Sequence, residues 1–138
     1  MDTKEIADSF ITAAGKIEFY WNFYAITLIA LIGWLVSTKK VLGPRLKLLI
    51  SVGYLVFVFM NIMGLSSSYT FAEALRQDLL VSVKAAPETL KNAQAVLSEK
   101  SFENQKALAT AIHAILGAFV FSVIWFGRLG EMAYNTGK

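Results

Sequence analysis

Cysteine is absent from this chain, histidine occurs once, and charged residues make up only 17% of it. Without cysteine the chain forms no disulfide and no thiolate metal site, and its redox compartment stays undetermined. One imidazole excludes a metal site built from several histidines of one chain. The sequence also lacks a nucleophile–base motif, a phosphate-binding loop and paired catalytic carboxylates. We therefore predict that the protein is not an enzyme and needs no cofactor.

Long uncharged runs dominate what is present, and 56% of the residues are hydrophobic. The runs cover residues 19–37, 48–65 and 107–127. Each is close to the ~20 residues that a helix needs to cross ~30 Å of hydrocarbon. We predict an all-α integral membrane protein, 1–138 forming one membrane domain. It has three transmembrane helices, and an extramembrane amphipathic helical hairpin lies between the second and the third.

The segments outside these runs show helical periodicity. In residues 1–18, which we interpret as an outer amphipathic extension of the first span, the apolar positions are Ile6, Phe10, Ala13 and Ile17. In the predicted hairpin, residues 66–106, an apolar stripe recurs every four residues at Phe71, Leu75, Leu79 and Val83, with Glu73, Arg76 and Asp78 off that stripe. These spacings are typical of amphipathic helices. Pro87 fits the first position of the hairpin's second helix, and Ser101 fits the cap of a further one.

The turn between the first two runs, residues 38–47, predicts the orientation of the chain in the membrane. Its charged residues are all basic: Lys39, Lys40, Arg45 and Lys47. Short basic loops stay in the cytoplasm. The N-terminus and residues 66–106 are then outside, and the tail, residues 128–138, is cytoplasmic. The net charge of +3 therefore reflects membrane topology, and we predict no nucleic-acid partner.

Polar residues from all three runs fall at one depth in this topology, near the outer face. This candidate outer-face polar cluster consists of Glu18, Asn22, Asn61, Thr110 and His113. Polar side chains inside a membrane are costly and usually face partners. Two interpretations are open. The side chains tie the helices together by hydrogen bonds, or His113 with Glu18 forms a site for a proton, an ion or a ligand.

Small residues recur at every fourth position of the third run. One column contains Ala109, His113 and Gly117, and the other contains Thr110, Ala114, Ala118 and Ser122. Association of helices in lipid depends on close packing, which small residues permit. The third run is therefore predicted to be a contact helix.

These features favour a non-enzymatic protein of the inner membrane that acts by helix–helix assembly. Its expected partners are the lipid bilayer and either further copies of itself or other membrane subunits. The alternative is a small oligomeric channel or transporter with its site at His113 and Glu18. A holin-like lesion-forming protein shares the three-span plan, although residues 66–106 are long for that purpose.

Overall fold

The chain folds into four helices in a computed structural model that describes residues 3–38, 42–84, 91–99 and 101–126. The helices are α1 (Thr3–Ser37), α2 (Pro44–Lys84), α3 (Lys91–Glu99) and α4 (Phe102–Phe126). The all-α prediction is confirmed. Lys39, Lys40, Pro87 and the predicted tail at 128–138 lie outside the described residues.

Local hydrogen bonds close the end of α1, and a proline marks the start of α2. At the end of α1 the carbonyl of Trp34 accepts the amide of Thr38 at 3.0 Å and the hydroxyls of Ser37 and Thr38 at 3.0 and 2.8 Å. Pro44 then opens α2, where its missing N–H is harmless. The carbonyl of Gly43 receives the amides of Leu46 and Lys47, each at 3.0 Å.

Two of the helices are much longer than a bilayer is thick. At 1.5 Å per residue, α1 with 35 residues is about 52 Å long and α2 with 41 residues is about 61 Å long. α2 continues without a break through Leu65 and Ser66. The second apolar run and the first stretch of residues 66–106 are therefore one helix. α3 packs against α2, where Leu97 lies next to Arg76.

Buried positions on the long helices follow an alternating spacing of three and four residues, as in coiled-coil packing. On α2 they include Ser51, Tyr54, Asn61, Leu65, Ser68, Ala72, Leu75 and Leu79. On α1 they are Ile6, Ala13, Ile17 and Tyr24. α2 lies in the middle, since it contacts α1, α3 and α4, whereas α1 and α4 touch each other at few positions. Of the stripe predicted in residues 66–106, Leu75, Leu79 and Val83 are buried and Phe71 is exposed.

The core has two apolar clusters with polar residues between them. The first cluster is built on Ile17, Leu65, Tyr69 and Ala109, among others, and the second on Tyr54, Val120 and Ile124. Along α2 and α4, Asn61 and His113 fall between the two clusters, and both are buried. This polar layer is the place where α1, α2 and α4 meet.

Apolar side chains also cover much of the outside. Phe59, Ile115 and Phe126 are 63%, 69% and 83% exposed. α1, α2 and α4 are each long and apolar enough to cross a membrane, by length and composition. The structure thus supports a helical bundle compatible with a membrane protein.

Candidate functional site

A fully buried histidine occupies the polar layer. His113 on α4 has none of its surface exposed. Its Nε2 lies 3.0 Å from Oδ1 of Asn61 on α2, and its Nδ1 lies 2.8 Å from the carbonyl oxygen of Ala109, one turn earlier on α4. Both ring nitrogens therefore face oxygen atoms.

Asn61 extends this contact to the third helix. Its Nδ2 donates a hydrogen bond of 3.2 Å to the carbonyl oxygen of Tyr20 on α1. The carbonyl accepts and cannot donate, so this bond settles which end of the amide faces α1. A single asparagine thereby joins a backbone group of α1 to a side chain of α4.

Two aromatic rings of α1 pack against the imidazole. The ring centroid of Tyr24 is 4.0 Å from that of His113, with 31° between the planes. The centroid of Trp21 is 5.0 Å away at 53°. Each ring is anchored at its polar atom, since Trp21 Nε1 donates to the Tyr69 hydroxyl at 3.1 Å and the Tyr24 and Tyr54 hydroxyls lie 3.3 Å apart.

Sequence reasoning missed these aromatic partners. A signal for Tyr24 was present, because the spacing of Ile6, Phe10, Ala13 and Ile17 continues through Tyr20 to Tyr24.

The predicted outer-face polar cluster is brought together only in part. Asn61 and His113 meet, whereas Glu18, Asn22 and Thr110 are exposed. Glu18 and Asn22 share an outward stripe of α1, and the Thr110 hydroxyl donates to the Lys106 carbonyl oxygen at 2.9 Å within α4.

The two small-residue columns of α4 have different surroundings. Ala109 and His113 face inward, and Gly117 is half-buried with nothing within 4 Å of the position of a Cβ. The other column, Thr110, Ala114, Ala118 and Ser122, is exposed along its whole length. Nothing else in the described chain covers it.

A second polar constellation lies outside the predicted spans, where the sequence suggested only surface charges. Glu73 is 8% exposed and forms a two-pronged pair with Arg76, with bonds of 2.9 Å from Nε and 2.5 Å from a terminal nitrogen. Gln77 donates to the same carboxylate at 3.0 Å. The i, i+3 spacing of Glu73 and Arg76 was a readable signal for the pair, although not for its burial.

This pair also binds the ends of two helices. The amide of Phe102, the first residue of α4, donates to Glu73 at 3.1 Å, and Arg76 donates to the Leu97 carbonyl in the last turn of α3 at 2.6 Å. An anion is favourable at a helix N-terminus and a cation at a C-terminus. We call Glu73, Arg76 and these two backbone groups the corner clasp.

The clasp sets the protonation state of its carboxyl. The hydrogen bonds from Arg76 stabilise the charged form and, against the opposing effect of burial, lower the pKa of Glu73 from 4.5 to about 2. The same contacts raise the pKa of Arg76. Both groups therefore stay charged at neutral pH, and the clasp is suited to fixing the α3–α4 corner.

Both sites connect helices through hydrogen bonds, and the corner clasp adds an ion pair. Within the part of the chain that the structure describes, no three potential metal ligands come together. No protein-family model, curated protein or solved structure matches the chain.

Proposed function

We propose that the chain is a non-enzymatic, polytopic inner-membrane protein that acts by helix–helix assembly, as a homo-oligomer or as a small subunit of a larger membrane complex. One observation carries the proposal. One small-residue column of α4 is exposed: Thr110, Ala114, Ala118 and Ser122. The neighbouring face of the same helix, with Ala109 and His113, is buried within the chain. In lipid, a column of small side chains lets another helix approach closely.

The outward face of α1 supports the same function. Asn22 is exposed within an apolar run that we place in the membrane. A polar amide facing hydrocarbon is costly, and a contact with another helix removes that cost. Glu18 lies on this outward face too, and His113 takes its contacts from other residues. The assembly function is therefore better supported than transport through a joint Glu18–His113 site.

Assembly is tested by a bulky substitution in the exposed column. Ala114→Leu is expected to weaken association about tenfold or more, because the longer side chain holds neighbouring backbones apart. The fold of a single chain should survive, since Ala114 is exposed. Oligomeric mass in detergent and the yield of co-purifying subunits measure the effect.

The matched control for this substitution is Ala111→Leu. Ala111 is exposed as well, but it shares its face of α4 with the bulky, exposed Ile115. This variant should assemble like the wild type. Equal association of all three proteins would contradict a role of the small-residue column in assembly.

The second test measures membrane topology. Because the chain contains no cysteine, a thiol reagent can label only the cysteine that is introduced. The basic turn predicts that Lys40→Cys is protected from an impermeant thiol reagent in intact cells. Glu99→Cys, at the exposed end of α3, should react. Lysed cells serve as the control, in which both cysteines must be labelled. The opposite labelling pattern in intact cells would place the N-terminus inside.

A further inference from the structure

The buried histidine has more acceptors around it than its neutral form has protons. A neutral imidazole carries one N–H, and its other nitrogen is an acceptor. In this structure Nδ1 faces the carbonyl oxygen of Ala109 at 2.8 Å, and Nε2 faces Oδ1 of Asn61 at 3.0 Å. Two oxygen acceptors therefore face two ring nitrogens, and only a ring protonated at both nitrogens donates to each.

Rotation of the asparagine amide does not remove this conflict. The amide nitrogen of Asn61 donates to the carbonyl oxygen of Tyr20. Turning the amide over would supply His113 with a donor, but it would place Oδ1 against the Tyr20 carbonyl and break the tie to α1. The acceptor opposite Nε2 is thus set by α1.

Two aromatic rings of α1 offset part of the cost of burying a charged imidazole. Tyr24 and Trp21 lie with their ring centroids 4.0 and 5.0 Å from that of His113. The faces of aromatic rings attract cations within about 6 Å. The imidazole therefore has an electrostatic partner on α1 in addition to its two hydrogen-bond acceptors.

The other titratable groups near His113 are few. Tyr24 faces it from α1, and Tyr69 of α2 and Lys106 of α4 line the same narrow cleft between α2 and α4. Tyr69 accepts a bond from Trp21, and Lys106 donates to the Thr70 hydroxyl at 3.2 Å. No carboxylate is among the contacts that the described residues make with the ring. A change of charge here between about pH 5 and 8 is then a change at His113 itself.

We propose that His113 is a proton-binding site that joins α1, α2 and α4. The ligand is a proton, taken up at the ring nitrogen that lacks one. With both nitrogens protonated, the chain of bonds from Ala109 through His113 and Asn61 to Tyr20 is complete across α4, α2 and α1. In the neutral ring one lone pair opposes an oxygen, and either the Asn61–Tyr20 bond or a bond of the ring is lost. This inference does not depend on how copies of the chain assemble.

The sequence offers a direct test, because His113 is the single histidine. The full chain is purified with a tag free of histidine, labelled with ¹⁵N-histidine and placed in lipid nanodiscs. Two protonated ring nitrogens at pH 5, converting toward one as the pH rises to 8, are expected. Two protonated nitrogens throughout that range also support the proposal. One neutral tautomer with unchanged signals from pH 5 to 8 would overturn it.

A substitution at Asn61 distinguishes a proton-binding His113 from a histidine that is only packed in the core. Asn61→Leu removes one acceptor of the charged ring, and the midpoint of the titration should move about one pH unit toward acid. An unchanged midpoint would contradict the role of Asn61. Asn61 is also a structural residue, so the wild-type spectra decide the proposal if this variant does not fold.

The fluorescence of Trp21 provides a second readout that leaves His113, Asn61 and Tyr24 unchanged. With Trp34 and Trp125 replaced by phenylalanine, Trp21 is the one remaining indole of the three in the chain. An imidazolium next to it quenches its emission, so the intensity should rise with pH over the range in which the ¹⁵N spectra show the ring losing its proton. His113→Gln should give a flat profile. A pH response that persists in His113→Gln would assign the titration to another group and overturn the proposal.

Discussion

Replacing Glu73 with leucine is expected to lower the free energy of unfolding by about 3 kcal/mol, at the lower end of the range for breaking a buried ion pair. In the variant, Arg76 has no carboxylate partner and the amide of Phe102 has no acceptor. In the wild type Glu73 provides both. An unpaired buried charge costs more than the pair itself contributes. Thermal unfolding in detergent, together with amide exchange at Phe102, measures the loss.

Two controls make this result specific to the corner clasp. Asp78→Asn removes an exposed carboxylate of the same helix and should change stability by less than about 0.5 kcal/mol. Replacing both Glu73 and Arg76 with leucine should cost less than the sum of the two single changes, because no charge is left unpaired. Additive losses would show that the two residues act independently.

The clasp also predicts how stability depends on acid. The pKa of Glu73 is lowered from 4.5 to about 2 by its bonds from Arg76. A carboxyl with a depressed pKa in the folded state stabilises the fold above its unfolded pKa, and that contribution is lost as the pH falls through the folded value. The melting temperature of the wild type should therefore fall between about pH 4.5 and 2. The fall should be smaller in Glu73→Leu.

The second large effect is expected at Gly64 of α2, against which the ring of Tyr20 on α1 packs. A Cβ built on Gly64 would overlap the Tyr20 ring. Gly64→Leu is therefore expected to cost about 3 kcal/mol, because overpacking forces the ring or the backbone to move. The displacement would also disturb the Tyr20 carbonyl that Asn61 binds. The free energy of unfolding in bicelles measures the cost.

Gly53→Leu is the matched control for this substitution. Gly53 lies on the same helix with open space at its Cβ position, and the longer side chain there should be nearly neutral. Combining Tyr20→Ala with Gly64→Leu removes the overlap and should restore part of the lost stability. Equal losses at Gly64 and Gly53 would mean that the Tyr20 ring moves aside freely.

Some of the packing could be read from the sequence. The spacing of Ile6, Ala13 and Ile17 indicated one face of α1, and all three are buried. Leu75 and Leu79 likewise lie on the inward face of α2. Both stretches alternate apolar with charged residues, so the apolar stripe stands out and identifies the buried side.

Within the apolar runs this reasoning does not identify the buried side. Glu18 and Asn22 were grouped with Asn61 and His113 in one polar cluster, yet in the single chain both residues are exposed. In a helix that is apolar all round, hydrophobicity does not separate the inward face from the outward one. The inward direction is then chosen by shape, here by Tyr20 beside Gly64 and Tyr24 beside His113.

The sequence by itself determined three long apolar helices, the turn at Gly43 and Pro44, and the absence of cysteine chemistry, because composition and local backbone preference suffice for these. Only the tertiary structure decided that, within the cluster predicted at one depth, Asn61 and His113 form the direct contact, and that Glu73 meets the first amide of α4. Those partners are 52 and 29 residues apart. Contacts over such distances depend on the relative rotation of packed helices, which no local pattern encodes.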